Sequence, residues 1–341
     1  MAKKVLSLVL IATLVLTLAV GCSGGKEEAG LKVAMVTDVG GVNDQSFNQS
    51  AWEGLQKAEK ELGIKASYAQ SNQEGDYEPN LEKLLDAGND LIWGIGYKMG
   101  DAIFEAAKNN PDQKYGIVDF TYGEDTPDNV VCVLFKAEQP SFLVGYIAAK
   151  MTETGKVGFV GGIEGAVIDA FDYGFHAGVK YANSDVEVLR QYADSFNDSA
   201  KGKTIAKNMF RDGADIVFHA AGGVGDGVIE AAKEEGKYAI GVDRDQNDMA
   251  PDNVISSAMK RVGNGMYNIV EELKNGNFPG GQTIVYGLAD GAVGIAPTSD
   301  KHVPQEILDE VKELEQKIID GEIEVPYNEA TYNEFIDNYI E

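Results

Sequence analysis

From Leu31 onward, short runs of apolar and β-branched residues alternate with segments whose apolar residues recur at helical spacing. Lys32 to Thr37 reads as a strand, and Ala51, Leu55, Ala58 and Leu62 then fall on one face of a helix. Further strands are predicted near Ile64–Ala69, Leu91–Trp93 and Tyr115–Val118, with helices around Leu81–Leu85 and Ile103–Ala107 between them. Val130–Leu134 is another strand-like run, in which Cys132 reads as a small core residue. The pattern then restarts. Strands are predicted at Lys156–Val160, Val186–Leu189, Asp215–Phe218, Tyr238–Val242 and Ile255–Met259. The helices between them centre on Phe171–Val179, Ile205–Met209 and Val228–Glu234. Strands alternating with helices imply βαβ units and a mostly parallel sheet. Each series runs to about 110 residues, enough to close its own core. The expectation is therefore two similar α/β lobes. The chain beyond Val254 holds too few elements for a third domain and is expected to return and complete both lobes, crossing between them more than once. The expected division is 31–137 with about 256–297 for the first lobe, and 138–255 with about 298–341 for the second.

The start of the chain follows another logic. Lys3 and Lys4 precede an apolar stretch from Val5 to Val20, then Gly21, Cys22 and the polar tract Ser23–Glu28. A short apolar region with basic residues before it and small residues after it is the layout of a secretory signal peptide. The cysteine at its end reads as a lipoprotein site, so 1–22 is the expected signal peptide and Cys22 the expected lipidated residue. The usual pattern has Leu three places before the cysteine; here Ala19 stands there and Leu18 one place further back. Residues 23–30 form the expected tether between bilayer and folded body. That places the chain on the extracytoplasmic face of the cell membrane. With Cys22 lipidated, Cys132 has no partner for an intramolecular disulfide.

Composition narrows the classes. A 44% apolar, 25% charged chain of 341 residues is of the soluble globular kind. Its formal charge of -26 argues against nucleic-acid binding, which needs a basic face to displace counterions. The three histidines, His176, His219 and His302, show no metal-ligand spacing. No nucleophile elbow or P-loop lysine motif is present. The tract Gly222-Gly223-Val224-Gly225-Asp226-Gly227 runs G-x-x-G-x-G, not the dinucleotide order, and reads as a turn where a ligand approaches the backbone. No enzyme, no metal and no cofactor is expected; a monomeric binding protein is.

In open parallel sheets, ligands bind beyond the carboxyl ends of the strands. Polar residues crowd those positions here: Asp38 after the first strand, Asp119 after the fourth, Gly222 in the second half, then Asp243 and Lys260. Phe47 and Phe196 lie in polar loops rather than in apolar stripes, which suits a flat ligand.

Val36-Thr37-Asp38, followed by Asp44-Gln45-Ser46-Phe47-Asn48-Gln49-Ser50-Ala51-Trp52-Glu53-Gly54, resembles the signature of the basic membrane protein family of lipoproteins. Phe196–Gly202, Gly241-Val242-Asp243 with Asp245-Gln246, and Lys260-Arg261-Val262 are similar too. The resemblance implies a type I periplasmic-binding fold and purine nucleoside capture for an ABC transporter permease. In that pattern Phe47 and Phe196 sandwich the base. Asp38, Asn48 and Asp119 face the base or its rim, Gly222 lets the ribose approach, and Asp243 and Lys260 hold its hydroxyls. A sugar would also stack on aromatics and bond to carboxylates, so a sugar-binding protein is the second reading, and a ligand-sensing receptor of the same fold the third.

Overall fold

The computed structural model describes residues 30–340; the expected signal peptide with Cys22, and all of the expected tether except Gly30, lie outside them. The first series gives β1 (Lys32–Val36), α1 (Phe47–Leu62), β2 (Lys65–Ala69), α2 (Tyr77–Asp86), β3 (Leu91–Ile95), α3 (Gly100–Asn109), β4 (Lys114–Val118) and β5 (Val130–Phe135). The second opens with α4 (Glu138–Met151), then β6 (Lys156–Gly161), α5 (Ala166–Ala182), β7 (Glu187–Tyr192), α6 (Ser199–Arg211), β8 (Ile216–Ala220), α7 (Val224–Glu235), β9 (Tyr238–Asp243) and β10 (Val254–Lys260). Five elements follow: α8 (Val262–Lys274), β11 (Gln282–Tyr286), β12 (Val293–Ile295), α9 (Gln305–Ile319) and α10 (Glu329–Tyr339), with short 3₁₀ turns among them.

Two six-stranded sheets result, ordered β11-β5-β4-β3-β1-β2 and β12-β10-β9-β8-β6-β7. All pairings are parallel except β12 against β10. Strands covered on both faces need apolar residues at every position, and alternate residues feed different cores. In β1, Val33 and Met35 pack with Leu55 and Trp93, whereas Ala34 and Val36 pack with Leu81 and Ile103. Cys132 is fully buried in the latter core, and burial pushes its thiol above the ordinary range. These are two doubly wound α/β lobes.

The returning segment differs from expectation. Ser256–Lys260 belong to β10, which runs beside β9 in the second sheet, and β12 pairs with β10. Only α8 and β11 return to the first lobe, so the returning piece is about 262–286 rather than 256–297. The local reason lies in packing. β10 is buried on both faces, and its Ser256 and Ser257 hydroxyls meet Ser299 Oγ at 2.8 Å and the Gln246 N–H at 3.2 Å, all within the second lobe. Once past Lys260, α8 lays its backbone directly on α1. A Cβ added at Gly54 would sit 2.2 Å from the Gly263 Cα, a contact that no other residue type permits. The chain thus crosses between the lobes three times, at 135–138, 260–262 and 286–288. In both sheets the strand order reverses beside the first strand of the lobe, β1 or β6, which opens a crevice at the carboxyl ends there.

Candidate functional site

The two crevices face each other across one cleft, with about 630 Å³ of space counted out to its mouth. Its centre is Lys260, the last residue of β10 and 3% exposed. The ammonium lies 2.6 Å from Asp119 Oδ2 of the first lobe and 3.9 Å from Asp243 Oδ1 of its own. It also stands 4.5 Å from the centroid of the Phe47 ring and 5.4 Å from that of Phe171. Ser46 Oγ donates to the second oxygen of Asp243. Burial pushes the Asp243 carboxyl up to about 6, against the opposing pull of Lys260 and Ser46.

Asp119 and Asp243 share a further property. Each follows or ends its strand with a left-handed backbone, φ 63° and 64°. Among residues with a side chain, Asp and Asn bear that conformation best. The turn aims each carboxylate inward instead of along the sheet.

The wall on the β1 side is a small network. Asp44 accepts from the N–H groups of Ser46, Asn48 and Gln49, which anchors the start of α1. Asn48 Nδ2 donates to Asp44 Oδ2 at 2.9 Å and to Asp38 Oδ1 at 2.7 Å, while its oxygen accepts from the Asp38 N–H at 3.2 Å. The Gly40 N–H also donates to Asp38 Oδ1, at 2.8 Å. Asp38 Oδ2 takes no hydrogen bond from the described residues. Burial raises the Asp38 carboxyl to about 6, with the Gly40 N–H and Asn48 pulling the other way.

Two half-buried aromatic rings enter from opposite lobes: Phe47, which opens α1, and Phe196, in the loop after β7. Tyr97, after β3, meets the Phe196 ring edge-on at 6.5 Å. Gly222, with φ 55°, lies behind Phe196; a Cβ there would come 3.0 Å from the Phe196 carbonyl oxygen.

Of the residues singled out in the sequence, Asp38, Phe47, Asp119, Phe196, Gly222, Asp243 and Lys260 therefore line one cleft. Asn48 does not line it; it is 1% exposed and stands behind Asp38, its amide spent on two carboxylates. The sequence reading missed Tyr97, Lys98, Ile168 and Phe171, which also line the cleft. Gly96-Tyr97-Lys98 after a strand was a signal of the same strand-end kind; Phe171 was counted only as helix core.

The cleft offers aromatic faces, carboxylate acceptors and one buried cation. Among the described residues no group of three or more His, Cys, Asp or Glu is arranged to hold a metal, and no helix is long and apolar enough to cross a membrane.

Comparison with known proteins agrees with this architecture. A family model described as ABC transporter substrate-binding protein, PnrA-like, matches residues 31–329. "Basic membrane protein A" of Borreliella afzelii is 45% identical over 325 residues, covering 94% of this chain and 99% of that one. The "CD4+ T-cell-stimulating antigen" of Listeria monocytogenes is 46% identical, covering 88% and 89%. A solved ABC transporter solute-binding protein from Aeropyrum pernix K1 superposes with a TM-score of 0.81 at 28% identity, over 91% of this chain and 97% of that one. AraP, an arabinose-binding protein from Geobacillus stearothermophilus, shares the fold with a TM-score of 0.60 at 14% identity, over 84% and 99%. The type I periplasmic-binding fold is thus the fold of this chain. Proteins of this kind bind small molecules outside the cytoplasm and deliver them to a transporter permease; they are not an enzyme family. The chain belongs to the PnrA-like basic membrane protein family of ABC transporter substrate-binding proteins.

Proposed function

We propose that the protein is a lipoprotein, anchored through Cys22 on the extracytoplasmic face of the membrane, that captures a purine nucleoside between its lobes for uptake. The observation that carries the ligand class is the pairing of two kinds of surface in one cleft. Phe47 and Phe196 enter from opposite lobes, and Asp243 and Lys260 sit buried together beyond them. A nucleoside has the same division: a flat aromatic base and a sugar edge bearing a cis-diol. Stacking on an aromatic side chain contributes roughly 1–3 kcal/mol per base. A carboxylate accepting from a hydroxyl forms a charge-assisted bond, stronger than a neutral one. Asp38, with Oδ2 unclaimed by the described residues, is a further acceptor for a base edge. The low dielectric of the site and the raised carboxyl of Asp243 favour a hydroxyl donor there over a second anion.

The test begins with the protein as purified. Denaturation followed by mass spectrometry identifies any small molecule it carries. Calorimetry then compares adenosine, guanosine and inosine with simple hexoses. Tight binding of a nucleoside supports the reading. Tight binding of a hexose with none of the three nucleosides overturns it in favour of a sugar-binding protein.

A further inference from the structure

Neither His219 nor Gln246 lines the cleft, and both are fully buried. His219 lies in β8 and Gln246 just after β9. The Gln246 Oε1 accepts from the Val242 N–H at 2.8 Å and lies 3.0 Å from His219 Nε2. Because Oε1 is only an acceptor, His219 must present Nε2–H to it. Among the described residues His219 Nδ1 has no hydrogen-bond partner, and burial holds the ring neutral, its pKa lowered to about 4. Oε1 is thereby committed inside the second lobe. The amide nitrogen is left pointing outward, and it donates at 3.0 Å to the backbone carbonyl of Gln45 in the first lobe.

The receiving turn is shaped for this. Gln45 has a left-handed backbone, φ 54°, a strained conformation that persists only where the surroundings enforce it. Its side-chain oxygen accepts from Arg244 Nη1 at 3.1 Å, and its neighbour Ser46 donates to Asp243. Residues 243, 244 and 246 of one lobe so hold residues 45 and 46 of the other. Two glycines leave room for the arrangement. A Cβ at Gly241 would lie 2.5 Å from Gln246 Oε1, and one at Gly225 would lie 1.9 Å from the His219 ring. A glycine inside a strand weakens it and marks a close approach; at 241 what approaches is the Gln246 carboxamide.

We infer that Gln246, oriented by His219, is a positioning residue that latches the closed lobes through the Gln45 carbonyl and so sets how long a ligand is retained. It touches no ligand. It acts on the fraction of protein in the closed state, by which apparent affinity scales.

Gln246→Glu is the discriminating variant. One carboxylate oxygen still accepts from Val242 and His219, while the other now faces the Gln45 carbonyl and repels it. With whichever of adenosine, guanosine and inosine binds the wild type most tightly as probe, stopped-flow and calorimetry on the full chain should show dissociation faster by roughly tenfold or more. The association rate should change little, while the buried carboxyl lowers the melting temperature of the ligand-free protein. Unchanged dissociation at alkaline pH, where the Glu carboxyl is ionised and cannot donate to the Gln45 carbonyl, would overturn the latch. A second measurement covers a variant that fails to fold and needs no ligand. Long-range ¹H–¹⁵N spectra of the wild type, which has only three histidines, should show His219 protonated at Nε2 and bare at Nδ1. The opposite tautomer would turn the carboxamide over, set an oxygen against Gln45, and overturn the inference. If wild-type protein binds none of adenosine, guanosine and inosine, the nucleoside reading falls, and the tautomer alone decides the latch.

Discussion

Replacing Lys260 with Met keeps most of the aliphatic stem and removes the cation that lies between Asp119 and Asp243. With an effective dielectric constant of about 20, Coulomb's law gives a gross attraction of ~6 kcal/mol for the contact at 2.6 Å and ~4 kcal/mol for that at 3.9 Å. Desolvation of a residue only 3% exposed opposes both. The net quantity is the cost of stranding the partners, ~3–5 kcal/mol for a buried pair broken on one side. For a lobe of this size that is a fall in melting temperature of roughly 6–20 °C.

The pH dependence separates this account from a packing effect. In the wild type the folded pKa of Asp243, about 6, lies above its ordinary value of 3.8. Its stabilising contribution is complete below pH ~4 and is lost as pH rises through 6, about 3 kcal/mol in all at 1.36 kcal/mol per unit. Lys260 is the largest influence holding that pKa down. Without it the Asp243 pKa rises further, and the loss extends to higher pH. The deficit of Lys260→Met should therefore be greatest above pH ~7 and should shrink as acid protonates the stranded Asp243 carboxyl. Urea unfolding followed by circular dichroism at several pH values measures it. A deficit that is the same in acid as at neutrality, or below ~1 kcal/mol throughout, would mean that Lys260 serves only as a packed stem.

Other expectations test separate parts of the molecule. Phe47→Ala and Phe196→Ala should each weaken nucleoside binding by roughly 1–3 kcal/mol while leaving the melting temperature nearly unchanged, because both rings are only half-buried; a large loss of stability would make them core residues instead. Gly54→Val should destabilise the first lobe by at least about 1–3 kcal/mol, since its side chain would collide with the Gly263 backbone; an unaltered melting curve would deny the contact between α1 and α8. Cys22→Ser should abolish partitioning into detergent, and identical partitioning of variant and parent would remove the lipid anchor.

Local pattern carried most of the fold. Strands β1 to β10 coincide with the runs read from sequence: eight are mostly buried and leave a nearly unbroken apolar signature, while the exposed edge strands β2 and β7 were marked by the shorter runs Ile64–Ala69 and Val186–Leu189. What failed was information that local pattern does not contain. β11 is an exposed edge strand and β12 has three residues, so neither leaves a run to detect. α4 is buried from Pro140 to Ala149, so its apolar residues show no helical period. Which sheet β10 joins depends on the partners of Ser256 and Ser257, and those lie at Ser299 and Gln246. The cleft was legible through one general rule, that ligands gather at strand ends. The family resemblance put Asn48 on the cleft face, since it could not reveal that the amide is consumed by Asp38 and Asp44. The paired lobes, in turn, hid the roles of Gln45 and Gln246, which have meaning only where two distant loops meet.

The left-handed turn at Asp243 decides how its role must be tested. Asp243→Ala removes the carboxylate but also places alanine at φ 64°, a conformation that costs Ala more than Asp or Asn. Any loss of affinity in that variant would mix strain with chemistry. Asp243→Asn keeps the tolerance for the backbone, and its amide oxygen still accepts from Ser46. Lys260 also keeps its 2.6 Å partner Asp119, so no cation is stranded. Only the negative charge and one acceptor are lost. If Asp243 reads a sugar diol, the wild type should prefer a ribonucleoside to the matching 2′,3′-dideoxynucleoside, because a site built for hydroxyls leaves its own groups unpaired when they are missing. A hydrogen bond to a charged group is worth ~1.5–3 kcal/mol, so the Asn variant should shrink that preference by roughly ten- to hundredfold. Its melting temperature should not fall. With the raised carboxyl gone, it should instead hold or rise above pH ~6, where the wild type carries a buried charge. An Asn variant that keeps the wild-type ratio of the two affinities would show that Asp243 serves the turn and the lobe contact with Ser46, and that the sugar is read elsewhere.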